Sequence, residues 1–160
     1  KCMPENKEVV AANYNLKDQI AISGLSKAIE EVTPKLMEAG AKRVMPLKVS
    51  GAFHSPFMKP AADSLKEFLE NIKLNNSGSK VFSNVTAEIH SFDSIKENLY
   101  KQMFSTVRWF DSMINMQKLG ITKIYECGPG KVLTGMTKKI APDIEAVCVF
   151  DIDSLNSAIN

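Results

Sequence analysis

The stretch Ser50-Gly51-Ala52-Phe53-His54-Ser55-Pro56-Phe57-Met58 joins a predicted strand, residues 42–49, to a helix predicted to begin near Lys59. It contains one of the two histidines of the chain. A histidine on the loop after a strand lies where α/β folds commonly place their chemistry. Its neutral imidazole can accept a proton from a hydroxyl or thiol near pH 7 and return it later. His54 is therefore a candidate general base, although a lone loop histidine is more often a structural residue.

The residues before this stretch have the order strand, strand, helix, strand. Apolar positions repeat at helical spacing through the predicted helix, and Pro34 is expected to kink or restart it. Pro46 in the following strand favours an edge position or a bend, because proline has no N–H to donate. The predicted elements are strands at 8–14 and 19–23, a helix at 25–39 ended by Gly40, and a strand at 43–49.

The residues after this stretch alternate between helices and strands. The predicted elements are a helix from about 59 with an apolar stripe to 72, a strand at 81–85, helices at 93–103 and 109–119, a strand at 121–127, a turn at 128–130, a helix at 132–140, a strand at 145–150 and a short helix at 154–159. Such alternation predicts an α/β fold, with a parallel sheet that has helices packed on its faces.

The composition is that of a soluble globular protein, with 44% hydrophobic and 24% charged residues. The formal net charge of +2 is too small to indicate a nucleic-acid or membrane-surface partner. No apolar run is long enough to suggest a membrane span. The three cysteines, Cys2, Cys127 and Cys148, are widely spaced. They fit a reducing cytoplasm and, without paired histidines, predict neither a disulfide framework nor a metal site.

The motif Gly51-Ala-Phe-His-Ser-Pro56, followed by Met58 and Lys59, resembles the histidine motif of malonyl-CoA:acyl-carrier-protein transacylases. Two later stretches resemble the same family in the expected order: Val-Phe-Ser-Asn-Val-Thr at 81–86 and Tyr-Glu-Cys-Gly-Pro-Gly-Lys-Val-Leu at 125–133. The resemblance covers residues from about 9 to 140. It implies the C-terminal half of such an enzyme, with 1–49 as the later part of a small ferredoxin-like subdomain and 50–160 as the C-terminal part of the large α/β subdomain.

The resemblance implies roles for four residues. His54 matches the catalytic histidine, and Gln102 matches the residue whose main-chain carbonyl orients it. Phe53 matches a residue beside the reacting acyl group, where a bulky ring leaves little room for an extra methyl. Asn84 matches an asparagine of the substrate pocket. The last three also have a structural alternative: a solvated helix end for Gln102, a core position for Phe53 and a turn cap for Asn84.

The implied reaction is transfer of malonyl from malonyl-CoA, through an enzyme serine, to the phosphopantetheine thiol of acyl carrier protein. The resemblance implies no metal, no tightly bound cofactor and a monomeric complete enzyme. The family presents its serine in a Gly-x-Ser-x-Gly turn, and that pattern does not occur in these 160 residues. We therefore expect the chain to contain the base but not the nucleophile, and to be inactive alone.

Two other functions remain open from the residues. A cysteine acyl-hydrolase could pair Cys127 with His54, because Cys127 ends a predicted strand just before a helix whose dipole could lower the thiol pKa. A buried free cysteine is the simpler explanation of the same position. The second alternative is a non-catalytic module that binds an acyl carrier.

Overall fold

The strands form two separate pairs in the computed structural model, which describes residues 5–76 and 78–159. Strands β1 (Val9–Leu16) and β2 (Gln19–Gly24) pair in antiparallel fashion. Strands β3 (Lys123–Cys127) and β4 (Glu145–Val149) pair in parallel, with Lys123 opposite Glu145 and Cys127 opposite Val149. Helices separate and flank the two pairs, so the predicted α/β class is confirmed.

Helix α1 (Ser26–Glu38) packs against the β1–β2 pair. The strands predicted at 8–14 and 19–23 and the helix predicted at 25–39 are present, and Pro34 lies within α1 without ending it. Gly40 follows the helix with φ 104°, a left-handed conformation that glycine adopts at little cost. The small core of this region consists of Val9, Ala28 and Val32, bordered by Ile22, Ile29 and Leu36.

The strand predicted at 42–49 is wrong. Residues 44–49 have no strand partner among the described residues, and Val49 N–H donates instead to the carbonyl of Leu47 at 3.0 Å. Pro46 cannot donate a ladder hydrogen bond, which weakens any pairing of this segment. Met45, Leu47 and Val49 are 60%, 68% and 63% exposed. The alternation of apolar residues is real, but without a neighbouring strand it does not produce a sheet.

Helix α2 (Lys59–Asn71) begins at Lys59, as the sequence predicts, and a 3-10 turn at Pro56–Met58 directly precedes it. The strand predicted at 81–85 is wrong, because only one bridge, between Phe82 and Ile89, forms there before the chain turns. The helix predicted at 93–103 is shorter than expected: a 3-10 turn at Phe92–Ser94 precedes α3 (Ile95–Lys101).

The C-terminal elements follow the predicted order. Helix α4 (Trp109–Lys118) precedes β3, α5 (Val132–Ile140) connects β3 to β4, and α6 (Ile152–Ile159) follows β4. Helices α4 and α5 pack together through fully buried Met113 and Thr137, where the Thr137 hydroxyl lies 3.1 Å from the Met113 sulfur. Because α5 crosses between parallel strands, this part is a βαβ unit.

Val107, which lies just before α4, pairs with β1. Its N–H donates to the carbonyl of Ala12 at 2.8 Å, and its carbonyl accepts the N–H of Tyr14 at 2.9 Å. The neighbouring Thr106 hydroxyl donates to the carbonyl of Ala11 at 2.7 Å. The segment before α4 is therefore fixed to β1.

The ferredoxin-like subdomain and the boundary at residues 49 and 50 stay predictions.

None of the helices in the described ranges, 5–76 and 78–159, is long and apolar enough to cross a membrane.

Candidate active site

The loop that carries His54 is held in a strained conformation. His54 has φ 56°, in the left-handed region that residues other than glycine seldom adopt. Next to it, Ser55 is fully buried, and its hydroxyl donates to the carbonyl of Ala52. The carbonyl of Ser55 accepts the N–H of Met58 at 3.0 Å and so begins the turn into α2. A strained backbone kept in place by its surroundings is common at functional sites.

The His54 imidazole contacts the main chain of Gln102. Nδ1 of His54 lies 3.0 Å from the carbonyl oxygen of Gln102, and the ring is half-buried. A carbonyl can only accept a hydrogen bond, so Nδ1 carries the proton in this contact. Nε2 of the neutral ring is then unprotonated and able to accept a proton.

Gln102 offers this carbonyl because it caps the C-terminus of α3. The last carbonyls of a helix have no partner within the helix, so they are free to accept from elsewhere. The N–H of Gln102 still donates to the carbonyl of Asn98 at 2.9 Å. Within the described residues, the hydrogen bonds of Gln102 come from its backbone alone. The structure thus brings together the two predicted catalytic residues, while their roles stay predictions.

Phe53 lies at the surface beside the base. Its side chain is 44% exposed, and its ring lies over Gly51, where an added Cβ would be 3.7 Å from Cζ of the ring. This exposure does not fit the alternative that Phe53 fills the core of the described structure. Contact with substrate stays a prediction.

The turn that contains Asn84 is capped by its neighbour. The hydroxyl oxygen of buried Ser83 accepts the N–H groups of Val85 at 3.2 Å and Thr86 at 3.3 Å. In contrast, the side-chain amide of Asn84 makes no hydrogen bond within residues 5–76 and 78–159, and only its carbonyl accepts, from the N–H of Arg108 at 2.9 Å. The turn-cap alternative for Asn84 is therefore wrong. Sequence reasoning missed Ser83, although serine often forms such turns.

Arg108 and Asn115 fix this turn to α4. The Arg108 guanidinium donates from Nη1 to the carbonyl of Thr86 at 3.1 Å and from Nε to Asp111 at 2.8 Å. The Asn115 amide donates to the carbonyl of Ala87 at 2.9 Å. Ala87 is fully buried and has φ 59°. The contacts of Arg108 with Thr86 and of Asn115 with Ala87 are long-range and have no local signal in the sequence.

The turn between β3 and α5 is organised by Glu126. Its carboxylate accepts the backbone N–H groups of Leu133 at 3.0 Å and Thr134 at 2.7 Å, which caps the start of α5. Desolvation acts to raise the pKa of Glu126, but the nearby Thr134 hydroxyl and the N–H groups of Thr134, Leu133 and Val132 together lower it below its ordinary value. Negative charge at a helix N-terminus is also favourable to the helix dipole.

The structure does not pair Cys127 with His54. The Cys127 thiol is exposed and makes no hydrogen bond to His54 within the described residues. Cys148, on the adjacent strand, donates its thiol proton to the carbonyl of Gly130 at 2.7 Å. The cysteine-hydrolase alternative therefore has no contact in its support. Over the described ranges, no cluster of three or more His, Cys, Asp or Glu side chains could hold a metal ion.

Comparisons with known proteins identify the relatives of the chain. No family model matches it. The malonyl CoA-acyl carrier protein transacylase of Synechocystis sp. is 40% identical over 158 residues, which is 98% of this chain and 53% of the relative. The transacylase of Bacillus subtilis is 41% identical over 160 residues, 99% of this chain and 50% of the relative. The chain is a homologue of malonyl CoA-acyl carrier protein transacylases.

Solved transacylase structures have the same fold over the matched part. The enzyme from Streptococcus pneumoniae superposes with a TM-score of 0.90 at 38% identity and covers 94% of this chain. A malonyl-transacylase solved in complex with its type II PKS acyl-carrier protein superposes with a TM-score of 0.92 at 36% identity and covers 98% of this chain. The chain spans about half the length of these transacylases, 50% and 52% respectively.

Proposed function

We propose that this chain forms the half of a malonyl-CoA:acyl-carrier-protein transacylase that supplies the general base. The observation that carries the proposal is the 3.0 Å contact between His54 Nδ1 and the Gln102 carbonyl oxygen. That contact keeps Nε2 unprotonated, as a base must be before it accepts a proton. The similarity to transacylases over nearly the whole chain supports the reaction class.

In the complete enzyme, a serine from outside these 160 residues attacks the thioester carbonyl of malonyl-CoA. Nε2 of His54 takes the serine proton as the oxygen–carbon bond forms, and it returns that proton to the departing coenzyme A thiolate. In the second half-reaction, Nε2 takes the proton of the phosphopantetheine thiol of acyl carrier protein, whose sulfur attacks the malonyl-serine ester. The serine oxygen leaves and recovers its proton from His54.

A main-chain carbonyl is a sufficient partner for this base. It fixes the tautomer of His54, as the carboxylate of other triads does, but it stabilises the imidazolium less because it carries no full charge. A thioester is easier to open than an amide, so the reaction requires less stabilisation of the charged ring. The left-handed backbone of His54 places the ring at this carbonyl, which explains why the strain is retained.

The remaining roles follow from position. Phe53, exposed beside His54, is assigned to the wall around the malonyl group. Asn84, whose side-chain amide makes no hydrogen bond within the described residues, is assigned to the same substrate pocket on the resemblance to the family. Malonyl-CoA and acyl carrier protein are substrates and the only partners proposed, with no further cofactor. We assign the reaction to fatty acid biosynthesis in the cytoplasm, by a monomeric enzyme.

The test is malonyl transfer from malonyl-CoA to acyl carrier protein by the complete enzyme. His54→Ala should reduce kcat/KM by several orders of magnitude, as removal of a triad member does. The matched control is His90→Ala, because the other histidine contacts Asn98, at 2.9 Å, instead of Gln102. Near-normal turnover of His54→Ala would remove His54 from the mechanism.

A second measurement uses the chain itself. Incubated with malonyl-CoA, the 160 residues should form no malonyl-enzyme detectable by mass, because the base has no serine to activate. A stable malonyl adduct on this chain would contradict the division of roles between the two halves.

A further inference from the structure

Tyr100 connects α2 to α3 next to the proposed base. Its hydroxyl donates to Oδ1 of Asp63 on α2 at 2.8 Å. The ammonium of Lys66, one turn further along α2, lies 5.5 Å from the centroid of the Tyr100 ring. The edge of the same ring packs against Phe104, with centroids 5.1 Å apart and planes at 75°. The Tyr100 side chain therefore contacts Asp63 and Lys66 on α2 and also Phe104, which follows α3.

One of these contacts spans Gln102 in the sequence. Tyr100 and Phe104 lie two residues before and two residues after it, and their rings pack edge-to-face, so this contact links the two ends of the turn that presents the Gln102 carbonyl. The N–H of Phe104 donates to the carbonyl of Lys101 at 3.2 Å, which tightens the same turn. A movement of Tyr100 would thus move the carbonyl that accepts from His54.

Two hydrogen bonds join the stretch that runs from His54 into α2 to the C-terminal end of α3. His54 leads into α2, and Asp63 lies on the second turn of that helix, whereas Tyr100 and Gln102 end α3. The Tyr100–Asp63 and Gln102–His54 hydrogen bonds therefore close a ring of contacts between the same two stretches of chain. At the opposite end of the pair, Lys96 Nζ donates to the carbonyl of Glu70 at 3.1 Å and holds the helices independently.

We propose that Tyr100 is a positioning residue: through its hydrogen bond to Asp63 it keeps the Gln102 carbonyl at His54 Nδ1, and so maintains the tautomer in which Nε2 accepts a proton. The inference rests on the proposed function for its catalytic meaning, but its structural claim concerns this chain alone. The hydrogen bond to Asp63 raises the pKa of Tyr100 above its ordinary value of 10.0, and a tyrosine hydroxyl is in any case protonated, and so a donor, at neutral pH.

The test is ¹⁵N NMR of the histidine side chains in the 160-residue protein, at a pH where His54 is neutral. The ring nitrogen shifts report the ratio of the Nδ1–H to the Nε2–H tautomer. Tyr100→Phe keeps the ring, with its Lys66 and Phe104 contacts, but removes the donor. We expect the ratio at His54 to fall by about two- to tenfold, the range that one net hydrogen bond spans.

Two controls separate positioning from general loosening. Tyr14→Phe removes a tyrosine hydroxyl on β1, and Lys96→Met removes the link at the far end of the two helices. Neither should change the tautomer ratio of His54. A dispersed backbone amide spectrum confirms that each variant is folded. A fall in the ratio as large in Lys96→Met as in Tyr100→Phe would overturn the specific role of Tyr100.

Asp63 provides an independent variant. Asp63→Ala should lower the ratio as Tyr100→Phe does, whereas Asp63→Asn, which keeps an acceptor oxygen, should retain more of the wild-type ratio. An unchanged ratio in both Tyr100→Phe and Asp63→Ala overturns the proposal while leaving the transacylase function standing. Conversely, full activity of His54→Ala in the complete enzyme would refute the proposed role of His54 as the general base and leave the NMR result intact.

Discussion

The Glu126 carboxylate at the end of β3 accepts the backbone N–H of Thr134 in the first turn of α5 at 2.7 Å. Its other oxygen accepts the N–H of Leu133 at 3.0 Å, so one side chain satisfies two of the N–H groups that a helix start leaves unpaired. The strand that precedes the helix thereby supplies the helix cap.

Replacing Glu126 should destabilise the protein in a pH-dependent manner. Because the folded-state pKa lies below the ordinary value of 4.5, the ionised carboxylate stabilises the fold fully above that value, and this stabilisation is lost as pH falls through the folded pKa. Glu126→Ala should lower the free energy of unfolding at pH 7 by about 1–2 kcal/mol, the cost of a lost cap. Urea unfolding at several pH values measures this. If the difference in unfolding free energy between wild type and Glu126→Ala grew as the pH fell below 4.5, the role of the ionised Glu126 carboxylate as the cap would be contradicted.

Ser83 should be more important for stability than its size suggests. Ser83→Ala removes the acceptor for two N–H groups in a buried position, so we expect a loss of about 1–3 kcal/mol in unfolding free energy. Ser64→Ala is the matched control, because the Ser64 hydroxyl makes one exposed hydrogen bond within α2. Thermal unfolding of Ser83→Ala and Ser64→Ala measures the loss of stability that each variant causes. Equal effects would mean that the Ser83 hydroxyl does not hold the turn.

The orienting group at Gln102 should be the backbone. In the complete enzyme, Gln102→Ala keeps the carbonyl that contacts His54, so kcat should fall by less than about tenfold. Gln102→Pro should reduce it far more, because proline restricts the backbone and removes the N–H that donates to Asn98. An alanine variant as impaired as His54→Ala would show that the amide side chain does the orienting.

Phe53 should determine which acyl group is accepted. Phe53→Ser in the complete enzyme opens space beside His54, so methylmalonyl-CoA should gain relative to malonyl-CoA. A methyl-sized change in a pocket alters the ratio of specificity constants by about 10- to 200-fold. Competition between the two thioesters, with Phe57→Ser as an exposed control outside the proposed pocket wall, measures the ratio. An unchanged ratio would exclude Phe53 from the pocket.

Local patterns in the sequence were sufficient for most helices and for β1 to β4, because periodicity and end signals act over a few residues. They were insufficient at 42–49, where alternating apolar residues predict a strand but pairing depends on a neighbour that the described residues do not provide. They also missed the hydrogen bond between Tyr100 and Asp63, since residues so far apart in the chain meet only through helix packing. The predicted loop position made His54 a candidate base from the sequence, but its match to a catalytic histidine, and the choice of Gln102, came from resemblance to a family.

The apolar segment at 42–49 has a consequence for handling the protein in solution. Within the described residues no strand pairs with its backbone, and the side chains of Met45, Leu47 and Val49 are largely exposed along it. Such a segment can act as a template for edge-to-edge association between molecules. Pro46 has no backbone N–H to donate, so it limits continuous pairing of this segment with a strand of another molecule. At high concentration, self-association should begin here, and Leu47→Lys should increase solubility without altering the His54 loop.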